Sequence, residues 1–116
     1  MTGRSSGVAF RQMLEHAREA FRFVGARRRE DLDEDRLLNL AVVRLLEVVG
    51  EAAARVPGDE QARHPEVPWR EIVGLRNRLI HGYDEVDFDV VWAIIQSDLP
   101  PLIRALEAIV RGLPPE

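Results

Sequence analysis

The 116-residue chain contains no cysteine and no lysine, and its apolar runs are short. Without cysteine it has neither disulfides nor thiolate metal sites, as is typical of proteins in a reducing compartment. No run approaches the roughly 20 apolar residues that a membrane-spanning helix needs, and no signal-type apolar core follows the first residues. We therefore expect a cytoplasmic protein that does not enter a membrane.

The charge balance is slightly acidic, with a formal net charge of −4. This balance argues against a protein that coats nucleic acid with a broad basic face. All 16 basic residues are arginine, whose planar fork suits bidentate contacts to phosphate. A small local phosphate site is therefore compatible with the composition.

Apolar residues recur at steps of three and four, and no segment alternates with a period of two. The pattern predicts an all-α protein: an up-and-down bundle of four helices with a short C-terminal helical extension. We expect one helical domain over residues 8–112 and a disordered N-terminus over residues 1–7. The two stripes predicted to face the core are Phe10, Met13, Leu14, Ala17, Ala20, Phe21 and Val24 in the first helix, and Leu37, Leu38, Ala41, Leu45, Val48, Val49 and Ala52 in the second.

Capping residues predict where the second helix begins, and one glycine predicts a close contact. Asp33 is the predicted N-cap of this helix. Gly50 lies inside the helix, where glycine costs about 1 kcal/mol relative to alanine. A close helix approach would compensate for that cost, either within the fold or between two protomers.

Prolines and a glycine mark the limits of the later helices. Residues 57–68 form a proline-punctuated connector, and a third helix over residues 69–81 is predicted to end at Gly82. The fourth helix begins near Asp87 or Asp89. Pro100 and Pro101 are expected to break or kink it, with Asp98 as the cap of a restarted helix.

The stretch LRNRLIHGYDEVD, residues 75–87, concentrates polar side chains at the end of the third helix. At about 100° per residue, Asn77 and His81 share a face, whereas Arg76 and His81 point about 140° apart. Two arrangements would bring Arg76 and His81 together. Either the helix ends just before His81, or the two groups converge across a symmetric dimer.

Several other chemistries are excluded or disfavoured. The spacing of His16, His64 and His81 matches no metal motif, and no glycine-rich phosphate loop is present. Glu47 and Glu51 are one helical turn apart, a spacing more typical of a solvated helix edge than of a carboxylate metal site. We expect neither a metal nor a cofactor. The sequence leaves open whether Glu47 or Glu51 reaches the polar stretch.

The polar stretch has a structural and a functional interpretation. A histidine near a helix C-terminus stabilises the helix by about 0.3–1 kcal/mol when protonated, which would explain His81 without any site. Functionally, histidine is a proton shuttle near neutral pH, and arginine binds a phosphate oxyanion. Two copies of His81 across a dimer would supply both the base and the acid needed to cleave RNA without a metal.

The pattern of arginine, four residues, histidine, any residue and tyrosine is met by Arg76, His81 and Tyr83. Within the string WREIVGLRNRLIHGYDEVD it resembles the signature of HepT-type HEPN proteins, and the resemblance extends to RLLEVVGEAAARV and QSDLPPLIRALEAI. It implies a homodimeric HEPN-like toxin of a toxin–antitoxin pair, acting as a metal-independent endoribonuclease. Arg76 and His81 would be catalytic and Asn77 supporting. The implied partner is an MntA-like nucleotidyltransferase antitoxin that AMPylates Tyr83.

Two further hypotheses compete with the ribonuclease. In one, the protein is a non-catalytic nucleotide-binding partner or scaffold of a nucleotidyltransferase, since fold alone does not fix function. In the other, it is a dimerisation domain with no site. Nucleotide affinity without turnover would distinguish the first alternative. Small effects of replacing Arg76, His81 or Tyr83 individually would indicate the second.

Overall fold

A computed structural model describes residues 4–81 and 85–115, and the side chains of Arg4, Ser5 and His81 lie outside that description. Helix α1 begins at Arg4, before the predicted domain boundary at Val8. In the described residues, no helix is both long and apolar enough to span a membrane. The elements are α1 (Arg4–Val24), α2 (Asp31–Glu34), α3 (Arg36–Ala54), α4 (Gly58–Ala62), α5 (Trp69–Val73), α6 (Leu75–Leu79), β1 (Ile80–His81), β2 (Glu85–Val86), α7 (Phe88–Ala93), a π-helical turn (Ile94–Asp98) and α8 (Leu99–Arg111).

Four helical layers run antiparallel to one another: α1, α3, the α5–α6 pair and the segment from α7 to α8. Polar contacts at both ends fix the directions of α1 and α3, because Arg55 after α3 donates to Gln12 in the first half of α1 and Arg27 after α1 pairs with Asp35 before α3. Glu47 of α3 faces Arg76 of α6, and Arg78 of α6 donates to Asp98. The predicted all-α, up-and-down architecture is confirmed; β1 and β2 add two short paired strands of two residues each.

The buried side chains form one core, but two predicted core residues face solvent. In α1, Phe10 and Met13 are fully buried, whereas Phe21 is 41% exposed. In α3, Leu37 is 82% exposed, and Val42 and Leu46 are buried in its place. The apolar circumference of α3 is wider than its buried face, so the helical period alone did not identify the inward side.

The start of α3 lies two residues later than predicted. Asp35 is the N-cap, and its side chain accepts a hydrogen bond from the Leu38 N–H at 3.0 Å. Asp33 instead belongs to the short helix α2, and its carboxylate pairs with Arg29 at 3.1 Å. The predicted connector also contains a helix, α4, and the predicted third helix is divided at Gly74, between α5 and α6.

The last helical segment passes through Pro100 and Pro101 without a break. The π-helical turn precedes these prolines, and its last hydrogen bond runs from the Leu99 N–H back to the Ile94 carbonyl. This wider turn takes up the register change that prolines impose on an α-helix. Asp98 makes no capping hydrogen bond, so the predicted cap of a restarted helix is wrong. Of the predicted break or kink, no break occurs, and the irregularity at the prolines is the wider turn before them.

Candidate functional site

The polar stretch at residues 75–87 divides into a helix end and a strand. Helix α6 ends at Leu79, and Ile80 is extended, with φ −113° and ψ 124°. The Asp87 N–H donates to the Leu79 carbonyl at 2.8 Å and closes the base of the β1–β2 pair. His81 therefore lies beyond the helix, as in the first of the two predicted arrangements. Its direction is no longer set by its helical spacing from Arg76.

Arg76 projects into solvent beside a carboxylate of a neighbouring helix. Its side chain is 77% exposed, and its Nε lies 3.7 Å from Oε2 of Glu47, which is only 19% exposed. Glu51, by contrast, pairs with Arg44 at 3.2 Å on the surface of α3. Glu47, and not Glu51, is therefore the carboxylate that reaches the polar stretch. Helical periodicity alone could not predict which of the two does so.

Close packing of two helices brings Glu47 and Arg76 together. Gly50 lies one turn after Glu47, and a Cβ at this position would be 2.9 Å from the backbone oxygen of Ile72. Only glycine allows α3 to approach α5 at this distance without displacing the backbone. Of the two explanations predicted for Gly50, close approach within the fold is therefore the one observed.

The other predicted site residues have different positions. Asn77 is exposed on α6, next to Arg76. Tyr83 lies outside the described residues, and of His81 only the backbone is described, paired with Glu85. Arg78 points away from Arg76, and its Nη2 donates to Asp98 Oδ2 at 3.2 Å. Arg78 therefore holds α6 against the π-helical turn.

A groove of about 370 Å³ lies between α3 and the β1–β2 pair. Arg76 does not line it but contacts Glu47, which does. We call it the α3 groove. Arg36 and Arg44 contribute positive charge to it, and Glu47 contributes the negative charge. Arg36 donates to Oδ1 of the buried Asn39 at 3.0 Å. The other lining residues are Leu40, Val43, Ile80, Val86 and Phe88.

Sequence reasoning did not identify Arg36 and Arg44 as site residues. Both have the spacing of ordinary solvated positions on an amphipathic helix, and no motif distinguishes them. Arg44 does open the string RLLEVVGEAAARV, which carried part of the family resemblance. Within residues 4–81 and 85–115, no three His, Asp or Glu side chains are grouped as metal ligands would be.

The groove and its surroundings thus contain exposed arginine side chains and the Glu47 carboxylate, and the backbone of His81 lies at the end of β1. Comparison with known proteins identifies the family of the chain. The family model described as "Ribonuclease HepT-like" matches residues 13–109. The chain belongs to the HepT-like ribonuclease family. The predicted family and the predicted enzyme class, a ribonuclease acting on RNA, are thereby confirmed.

Curated relatives support the family assignment. The chain is 41% identical to "Probable ribonuclease HepT" of Thermococcus cleftensis over 69% of this chain and 73% of that protein. It is 34% identical to "Putative RNase MJ1380" of Methanocaldococcus jannaschii over 84% and 89% of the two chains. It is 35% identical to "Putative RNase TTE0752" of Caldanaerobacter subterraneus over 87% and 94%. No solved structure matched the chain.

Proposed function

We propose that this HepT-like protein is a metal-independent endoribonuclease toxin that cuts RNA with Arg76 and His81 at a homodimer interface. The observation that supports it is the end of α6 at Leu79. This helix end releases His81 from the helical register and leaves an exposed arginine beside the α3 groove.

The chemistry requires two proton transfers and one stabilised oxyanion. His81 of one protomer removes the proton from the 2′-hydroxyl, and the 2′-oxygen attacks the adjacent phosphorus. The bond from phosphorus to the 5′-oxygen breaks, and the second copy of His81 protonates that oxygen. The products are a 2′,3′-cyclic phosphate and a 5′-hydroxyl. Arg76 neutralises the charge that develops on the phosphoryl oxygens, and Asn77 positions the substrate.

Glu47 has a supporting role in this mechanism. Its carboxylate is mostly buried, whereas the guanidinium it contacts is mostly exposed. A partly buried partner restricts the rotamers of a long side chain, and pre-ordering such a chain lowers the entropy cost of binding. We infer that Glu47 holds Arg76 ready for the scissile phosphate.

The dimer is proposed because the cleft needs a second histidine and because α3 presents an unburied apolar surface. Leu37 and Leu40 are 82% and 51% exposed, and together with Arg44 and Glu47 they follow one another along α3 at steps of three, four and three residues. Exposed leucines in line with a polar groove are typical of a surface that another chain covers. A second copy related by a twofold axis would place two equivalent grooves face to face.

The proposed partner is an MntA-like nucleotidyltransferase antitoxin that transfers AMP to Tyr83 in the cytoplasm. Tyr83 is two residues from His81, so an adduct there would carry a phosphate close to the cleft. That phosphate would compete with RNA for Arg76 and so inhibit cleavage. Mass spectrometry of the co-expressed pair should find one AMP on Tyr83, and none on a Tyr83→Phe variant.

Cleavage of a defined RNA by the purified dimer tests the proposed function. We expect cleavage to persist in EDTA and to stop when the ribose on the 5′ side of the cut carries no 2′-hydroxyl. Cleavage products should end in a cyclic phosphate. Loss of activity in EDTA, or cleavage of the 2′-deoxy substrate, would refute the mechanism.

A nucleotide-binding scaffold is the second candidate. The α3 groove, at about 370 Å³ and with two arginines, falls in the size range of small-molecule sites. On this hypothesis the folded dimer would bind a free nucleotide and leave RNA intact. Calorimetry with AMP and ATP, combined with the cleavage assay, distinguishes the two functions.

A further inference from the structure

A second groove lies between α1 and α8, with a volume of about 440 Å³. We call it the α1–α8 groove. It shares no lining residue with the α3 groove, on which the proposed dimer interface rests. Its lining residues are Arg18, Phe21, Arg22, Pro100, Ile103, Arg104 and Glu107.

The groove is positively charged in a chain whose net charge is negative. Arg18 is paired with Glu107 at 2.7 Å, and Arg22 makes only a long contact of 4.0 Å with Glu19. Arg104 makes no ion pair or hydrogen bond within the described part of the chain. Two arginines are therefore free, or nearly free, to bind an anion.

An exposed aromatic ring lies beside these cations. Phe21 is 41% exposed, although its position on α1 predicted burial. The other apolar residues that line the groove, Pro100 and Ile103, are only half-exposed. An amphipathic helix would need several anchors along one line, whereas Phe21 is the one strongly exposed apolar side chain among the described lining residues. A single flat ring flanked by arginines instead suits one base and its phosphates.

We propose that the α1–α8 groove binds a single-stranded segment of the RNA substrate away from the cleavage site. A base stacks on Phe21, and Arg22 and Arg104 bind the flanking phosphates. This inference rests on the proposed ribonuclease function for its choice of ligand. It would allow an acidic protein to engage an RNA longer than its cleft, because positive charge is concentrated in this groove.

The test compares the binding of a long and a short RNA, and it measures binding in a variant that should not cleave either of them. In the His81→Ala dimer, binding is measured by fluorescence anisotropy with labelled unstructured RNAs of about 16 and about 4 nucleotides, the range of typical single-strand sites. Arg104→Glu should weaken binding of the long RNA about fivefold or more. It should also reduce the slope of log K against log salt by about 0.7, the value for one lost phosphate contact on a single strand. Binding of the short RNA should be unchanged.

Two matched variants control for charge and for packing. Arg28→Glu makes the same charge change at a side chain that is 77% exposed, on the connection after α1, and should leave long-RNA binding unchanged. Phe21→Leu keeps an apolar side chain but removes the ring, and should weaken long-RNA binding about fivefold. Thermal melting of each variant verifies the fold.

If Arg104→Glu and Arg28→Glu weakened long-RNA binding equally, the cause would be a general charge effect, and the proposal would be overturned. Unchanged long-RNA binding in Arg104→Glu would also overturn it. If that variant instead loses binding to a nucleotidyltransferase partner, the groove is a protein-docking surface and not an RNA site. Binding is measured without cleavage, so failure of the proposed catalytic function would leave the result of this test intact.

Discussion

The contact at Gly50 leads to a quantitative prediction about stability. A methyl group added here would lie 2.9 Å from the Ile72 carbonyl oxygen and 3.5 Å from the Leu75 Cβ. A backbone oxygen cannot rotate away, so α3 and α5 must separate. Overpacking of this kind costs about 1–3 kcal/mol, and the higher helix propensity of alanine recovers about 1 kcal/mol. Because the contact is with a backbone oxygen, we take the upper part of that range, about 2–3 kcal/mol, so Gly50→Ala should lose about 1–2 kcal/mol once the gain of about 1 kcal/mol is subtracted, or about 4–8 °C in Tm for each kcal/mol.

Urea and thermal unfolding followed by circular dichroism measure this loss. The matched control is Gly58→Ala, because a Cβ at Gly58 has no atom within 4 Å, and this variant should be neutral or slightly stabilised. Because Gly50 is one turn from Glu47, the same substitution should move Glu47 away from Arg76 and reduce RNA cleavage. A Gly50→Ala protein as stable as the wild type would refute the close-approach explanation.

Three further predictions concern the interface, the cap and the carboxylate. Leu37→Glu should convert the dimer into a folded monomer, as measured by light scattering, and this monomer should no longer cleave RNA; a variant that stays dimeric would exclude this surface as the dimer interface. The pKa of the Asp35 carboxyl is lowered from its usual value, chiefly by the hydrogen bond from the Leu38 N–H and next by the hydrogen bond from Arg27. The ionised carboxylate therefore stabilises the fold fully above the usual pKa of an aspartate, and this stabilisation is lost as the pH falls through the lowered pKa. The Tm deficit of Asp35→Ala should shrink in acid; a deficit independent of pH would contradict this cause. Glu47→Gln should raise KM severalfold and leave stability nearly unchanged, since an ion pair whose guanidinium is exposed to solvent contributes at most about 1 kcal/mol; an unchanged KM would remove the proposed role.

Local signals were sufficient to predict most of the helices. The N-cap at Asp87 and the burial of Phe10 and Met13 follow from capping chemistry and a period of 3.6 residues. The exposure of Leu37 did not follow, because a helix that is apolar around most of its circumference does not reveal which side is covered. The π-helical turn before Pro100 also depends on packing that the sequence pattern does not contain.

The candidate site was predictable as a set of residue types but not as a geometry. Arg76, Asn77 and His81 stood out because they belong to a short polar stretch that contains the arginine–histidine–tyrosine pattern, and the family resemblance gave them roles. The contact between Arg76 and Glu47 joins residues 29 positions apart and depends on the close approach at Gly50. Such long-range contacts are fixed by tertiary packing. The helical spacing of Glu47 and Glu51 therefore could not predict which of the two carboxylates contacts Arg76.

The most direct test of the central claim is the integrity of cellular RNA after brief induction of four proteins. These are the wild type, Arg76→Ala, His81→Ala and the neighbouring-arginine control Arg78→Lys, each shown to be a folded dimer. We predict that the wild type and Arg78→Lys cleave RNA and that the other two leave it intact. Cleavage by a folded His81→Ala dimer, or intact RNA with all four proteins, would contradict the account.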